Sequence, residues 1–125
     1  MTPDLERMPW MPSPPLAPLD NPLDLDHLAR MTLGDAELEH EVLAMFADQS
    51  IRLVSAMTAL PADASALAHK LKGSARGIGA FAVADAAAQL ECALRTGDSP
   101  LRAIAELKQA VAEARTAIEA ILRRG

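Results

Sequence analysis

The 125-residue chain is long enough to bury one hydrophobic core and too short for two ordinary domains. Aromatic residues make up only 2% and tyrosine is absent, while alanine is abundant, a balance that disfavours a sheet and suits close-packed helices. A formal charge of -5 argues against nucleic acid or an anionic membrane surface as a partner, and the single cysteine, Cys92, excludes an internal disulfide or a cysteine-based zinc cluster.

Residues 1–22 hold seven of the nine prolines, which forbid a continuous helix and favour extended backbone, so this stretch reads as a proline-rich tail. Its Trp10, Met8 and Met11 could dock on the domain or on a partner, but the composition favours a flexible leader that carries a few apolar residues. No basic leader precedes an apolar stretch, and no later run approaches the length of a bilayer span. A cytoplasmic protein is expected.

From residue 23 to residue 125 the pattern is helical. A short helix over 23–31 is opened by Asp24 or Asp26 and closed before Gly34. Asp35 then caps a long second helix over 36–60, whose apolar positions Leu38, Val42, Met45, Phe46, Leu53, Met57 and Leu60 recur mostly at three- and four-residue steps. A third helix spans about 62–78, a fourth about 81–95 ending at Gly97, and a fifth about 99–122. Pro61 and Pro100 stand where helices begin. Val83, Ala87, Leu90 and Leu94 of the fourth helix face the core, as do Leu101, Ile104, Val111, Ile118 and Leu122 of the fifth. Short connections between long amphipathic helices predict an all-α, up-down four-helix bundle with a short additional N-terminal helix, and a bundle that covers its own apolar stripes is expected to be a monomer.

The third helix divides cleanly by face. At 100° per residue, Ala64, Leu67, Leu71, Ala75 and Ile78 fall on one side and mark the core. The opposite side collects Ala62, Ser65, Ala66, His69, Lys72, Gly73 and Arg76 with no bulky apolar residue, so His69 points outward. A helical histidine is more often a plain surface or core residue than a functional one. Here its neighbours form a set suited to an anion: Lys72 places an ammonium three residues on, Arg76 adds a cation one turn further, and Gly73 leaves the space beside the imidazole without a side chain. Glycine inside a helix costs roughly 1 kcal/mol relative to alanine, which a clearance role explains; the competing reading is simple helix termination, since Gly77 and Gly79 follow, Gly79 has the character of an ordinary C-terminal cap, and an early end would leave Arg76 poorly placed. Neutral imidazole is a competent nucleophile when its second nitrogen is held by a hydrogen bond that selects the tautomer.

The stretch His69-Lys70-Leu71-Lys72-Gly73-Ser74-Ala75, continuing to Ile78-Gly79-Ala80, resembles the phosphorylation motif of the histidine-containing phosphotransfer (HPt) family. Leu25-Asp26, Phe46 and Leu90-Glu91 also look like family positions, so the resemblance covers about 23–95 and, more loosely, the last helix. It implies that His69 carries a phosphoryl group between receiver-domain aspartates, that Lys72 and Arg76 support the phosphoryl charge, and that Gly73 admits the partner. It further implies response-regulator receiver domains and a hybrid histidine kinase as partners, with no cofactor on this chain and magnesium on the receiver. Some relatives place a glutamine beside the histidine where this chain has Glu91, so Glu91 is a candidate for orienting the imidazole, although its charge would oppose a nearby phosphate and the plainer reading is a solvated charge on the bundle surface; Gln89, about 160° away on the same helix, is a weaker candidate.

Two other readings compete. The dimerisation region of a sensor kinase also carries a phosphorylated histidine, but usually with an acidic residue directly after it and a proline soon following, whereas Lys70 follows here and no Gly-rich ATP-binding domain is present. Autonomous kinase activity is therefore not expected. The second is a helical adaptor that uses the bundle only for docking. A metal site is not predicted either, because His27, His40 and His69 fall on different helices without close ligand pairs; Glu37, Glu39 and Glu41 around His40 read as a solvated face, and Cys92 as an inert small hydrophobe.

Overall fold

A computed structural model describes residues 22–124, so the expected tail lies, apart from Pro22, outside the described residues. Five helices and no strand make up the described chain: α1 (Leu25–Met31), α2 (Ala36–Thr58), α3 (Ala64–Ile78), α4 (Phe81–Thr96) and α5 (Leu101–Arg124). Their boundaries follow local chemistry. The Asp24 carboxylate accepts from the His27 backbone N–H and that of Asp35 from Leu38, each satisfying an otherwise orphaned donor of a first turn. Gly79 and Gly97 close α3 and α4 in the left-handed conformation, at φ 87° and 81°. Pro100 directly precedes α5 and its carbonyl accepts the Ile104 N–H at 2.9 Å.

Each long helix packs on the next, and α5 returns to α2, so the four contacts close a ring around one core. The most extensive contact joins α3 and α4, where Ala68, Ala75, Ala80, Ala84 and Ala87 are all buried and let the two backbones approach closely. Leu71 and Leu90 fill the centre with no exposed surface.

The short α1 sits on the α3–α4 turn. The Asp24 N–H donates to the Gly79 carbonyl at 2.9 Å, and a Cβ at Gly79 would lie 2.8 Å from the Asp24 carbonyl oxygen. Glycine is thus required there both for its positive φ and for the close approach of α1. His27 completes the seat by stacking edge-on against Phe81, with ring centroids 5.2 Å apart.

The core of α2 differs from the expected one. The buried stripe is Leu43, Phe46, Ser50, Leu53 and Met57, a regular three-four repeat, whereas Leu38, Met45 and Leu60 are exposed. Phe46, Leu53 and Met57 keep their expected places, Leu43 joins them in the core and Met45 turns out, and Ser50 occupies the stripe because its hydroxyl donates to the Ala47 carbonyl at 3.0 Å, leaving no unsatisfied polar atom. In α5 the stripe is Ala103, Ile104, Leu107, Val111, Ala114 and Ile118, while Leu101, the first residue of the helix, is exposed. Cys92 is likewise exposed rather than packed. No helix among the described residues is long and apolar enough to cross a membrane.

The corrected α2 stripe has a direct test in chemical denaturation. Leu43→Ala is expected to lower stability by about 2–4 kcal/mol, as deletion of a fully buried leucine does, and Met45→Ala to change it by no more than about 0.5 kcal/mol, as an exposed substitution does.

Candidate functional site

His69 lies mid-way along α3, and its side chain is 68% exposed although Ala68 before it and Leu71 after it are wholly buried. The helix turns it outward because the neighbouring positions are claimed by the core. Ser65, Ala66, Gly73 and Arg76 are exposed on the same face, as the periodicity predicts.

Across from α3, Leu90 of α4 points into the core and Glu91, one residue on, points back over α3. The Nδ1 of His69 lies 3.0 Å from Glu91 Oε2, and Lys72 Nζ donates to Glu91 Oε1 at 2.8 Å. One carboxylate therefore spans two side chains three residues apart on the adjacent helix. Unlike His69, the other two members are well covered, with side chains only 18% (Lys72) and 15% (Glu91) exposed. Glu91 is accordingly not a solvated surface charge, and Lys72 is held by a partner rather than free on the outward face. Gln89 projects to the other side of α4 and takes no part.

The Lys72 ammonium bonded to Glu91 holds its carboxyl below the usual carboxylate range, against the opposing effect of its burial, and the His69 contact adds in the same direction. Glu91 is then ionised at neutral pH and has only acceptor oxygens to offer. The His69–Glu91 hydrogen bond can form only with the proton on Nδ1, which leaves the lone pair on the exposed Nε2. Which ring nitrogen keeps its lone pair is thus selected by the chemistry of the neighbouring carboxylate.

Gly73 has helical backbone, and a Cβ added there would meet nothing within 4 Å. The fold itself therefore gives no reason for glycine at this position. Arg76 is exposed one turn beyond, on unbroken helix, since α3 continues through Gly77 to Ile78 before the cap. Beside this face, an open groove of ≈ 680 Å³ between α2 and α3 is lined by Val42, Met45, Lys70, Ser74 and Ile78, among others. Met45, 69% exposed, belongs to this surface and not to the core. Its role was hidden by its fit to an apolar period; the regular Leu43–Met57 stripe was the signal that could have placed it.

The Hpt domain family profile matches residues 41–120, from the first half of α2 to the last turns of α5. The chain belongs to the Hpt domain family. No curated protein and no solved structure matches it significantly. The match contains α3 and α4 whole, hence all of His69, Lys72, Gly73, Arg76 and Glu91, while α1 and the proline-rich segment lie outside it. Hpt domains are helical carriers of histidine phosphotransfer in phosphorelays, and the five helices of the described residues fit that class.

Two stability measurements follow from this geometry. A carboxyl whose folded pKa is depressed stabilises the fold above its unfolded pKa, about 4.3 for glutamate, and loses that contribution as pH falls through the folded value. Glu91→Gln should thus lower stability near neutral pH, with the difference from the parent protein shrinking as pH is taken through the carboxylate range; urea denaturation across that range checks it. Gly73→Ala should raise stability by about 0.5–1 kcal/mol in the same assay, because helix propensity improves and the added methyl meets no neighbour.

Proposed function

We propose that the chain carries a phosphoryl group on Nε2 of His69, accepting it from and returning it to receiver-domain aspartates, on a domain spanning 23–125 whose long helices form an up-down four-helix bundle. The observation that carries this reading is the Glu91 carboxylate shared by His69 and Lys72. It fits a nucleophile that must be exposed, present one defined nitrogen, and acquire charge without leaving the protein surface.

In the transfer, the Nε2 lone pair attacks the phosphorus of an aspartyl phosphate, the N–P bond forms, and the P–O bond to the aspartate breaks as its carboxylate leaves. The ring keeps its Nδ1 proton and becomes cationic, and the Glu91 carboxylate balances that charge. Lys72, already within hydrogen-bond distance of Glu91, supplies the cation nearest the arriving phosphoryl oxygens along the helix, and Arg76 adds a more distant one. Returning the phosphoryl group to a second receiver reverses these bond changes. Magnesium, carried by the receiver, supplies charge neutralisation on the aspartate side.

Gly73 gives the partner access to His69, and the α2–α3 groove around Met45, next to Lys70, offers the apolar surface on which a receiver can seat. ATP chemistry is assigned to a separate hybrid histidine kinase, so the chain acts as a carrier and not as a kinase, in the cytoplasm and as a monomer. It needs no cofactor of its own.

Incubation with a phosphorylated receiver and magnesium should label the chain on His69 with an acid-labile, alkali-stable phosphoramidate, and His69→Gln should abolish labelling. Binding without transfer would point to the adaptor role instead. Glu91→Ala is expected to slow transfer roughly tenfold or more by releasing the imidazole from its tautomer, with Glu91→Gln less impaired because its amide oxygen can still accept from Nδ1. Gly73→Leu, harmless to the isolated fold, should block docking; transfer at the parent rate would remove the clearance role.

A further inference from the structure

A second groove, larger than the first, lies on the side of α4 turned away from Glu91. It has a volume of ≈ 820 Å³, runs between α4 and α5 beneath the start of α1, and is floored by Leu25, Phe81, Ala82, Ala86 and Ala110. Leu25 and Phe81 remain 46% and 40% exposed there. Its rim is acidic, with Asp26, Asp85 and Glu113, and among the described residues no lysine or arginine lines it. Gln89 marks its far end, about 160° around α4 from Glu91. The groove and the His69 face are therefore separate surfaces.

Leu23 also lines this groove and is 1% exposed, so the preceding segment joins the bundle at the groove itself. Twenty-one residues precede Pro22, and residues 8–19 contain no charged side chain, so the acidic rim does not repel them. The sequence Pro14-Pro15-Leu16-Ala17-Pro18-Leu19 is compatible with a polyproline II backbone, in which three residues per turn would set Leu16 and Leu19 on one face roughly 9 Å apart. Residues 81–89 of α4 span roughly 12 Å, a length that matches such a pair. Proline-rich segments suit apolar grooves bearing an aromatic ring because little backbone entropy remains to be lost. Leu19 is only four residues from Leu23, so the tether holds it at an effective concentration on the order of millimolar.

We propose that the α4–α5 groove is the docking site of the chain's own residues 14–19, with Leu16 and Leu19 seated on the floor formed by Phe81, Ala82 and Ala86. The acidic rim bars the chain's acidic stretches and admits its longest uncharged one. Docking there leaves His69 open, so the strap contributes to the fold without gating the phosphotransfer face. This inference stands independently of the proposed function.

The test uses the full-length chain, isotopically labelled for amide NMR. The double variant Leu16→Ser/Leu19→Ser should shift the resonances of Ala82, Ala86 and Ala110, and Ala82→Gln, an exposed helical substitution that narrows the groove, should reciprocally shift those of Leu16 and Leu19. Circular dichroism should report unchanged helix content in both. Shifts confined to residues neighbouring each substitution would overturn the proposal, as would shifts centred on Met45 and Ser74, which would place the segment in the α2–α3 groove. Shifts present only at high protein concentration would also overturn it, by assigning the groove to a second copy.

Discussion

The site depends on one carboxylate serving two donors. Glu91 holds the imidazole of His69 by one oxygen and the ammonium of Lys72 by the other, and each contact gives the other its meaning. Lys72 keeps Glu91 ionised despite its cover, and an ionised Glu91 can only accept, so it dictates which nitrogen of His69 bears the proton. Remove the lysine and the carboxylate loses its compensation; remove the carboxylate and the imidazole is a free rotor with two tautomers.

The bundle exists in a form that makes this contact possible. The alanine-lined approach of α3 and α4 brings Glu91 within reach of both donors, and these buried alanines leave no room for a larger residue without moving the helices apart. The abundance of alanine that first signals helices is thus also what sets the spacing of the site. Glutamate in place of an amide makes the selection stricter, since an amide can present either a donor or an acceptor to Nδ1 and a carboxylate presents only acceptors.

Much of the molecule was legible in its sequence, and the reasons are local. Asp24, Asp35, Gly79 and Gly97 act at the helix ends where their chemistry places them, and His69, Gly73 and Arg76 share the exposed face that a 3.6-residue period predicts. What periodicity could not settle was the edge of the α2 stripe, because Leu38 and Met45 stand three or four residues from Val42 and fit the apolar period almost as well as Leu43 does. The buried Ser50 concealed the true stripe, since a serine reads as a break until its hydroxyl is seen bonded to the turn before it. Nor could sequence alone join Lys72 to Glu91, nineteen positions apart, because that pairing depends on the interhelical distance and not on either helix.

In the proposed function, Glu91 fixes the proton of His69 on Nδ1 and leaves Nε2 as the nucleophile. Long-range proton–nitrogen NMR of the imidazole ring, recorded on the full-length chain above the range in which the ring itself is protonated, measures this without any partner. A protonated, pyrrole-type Nδ1 and a bare, pyridine-type Nε2 are predicted, with a mixture of tautomers in Glu91→Ala. A proton residing on Nε2 in the parent protein, or a mixture unaffected by Glu91→Ala, would contradict the account.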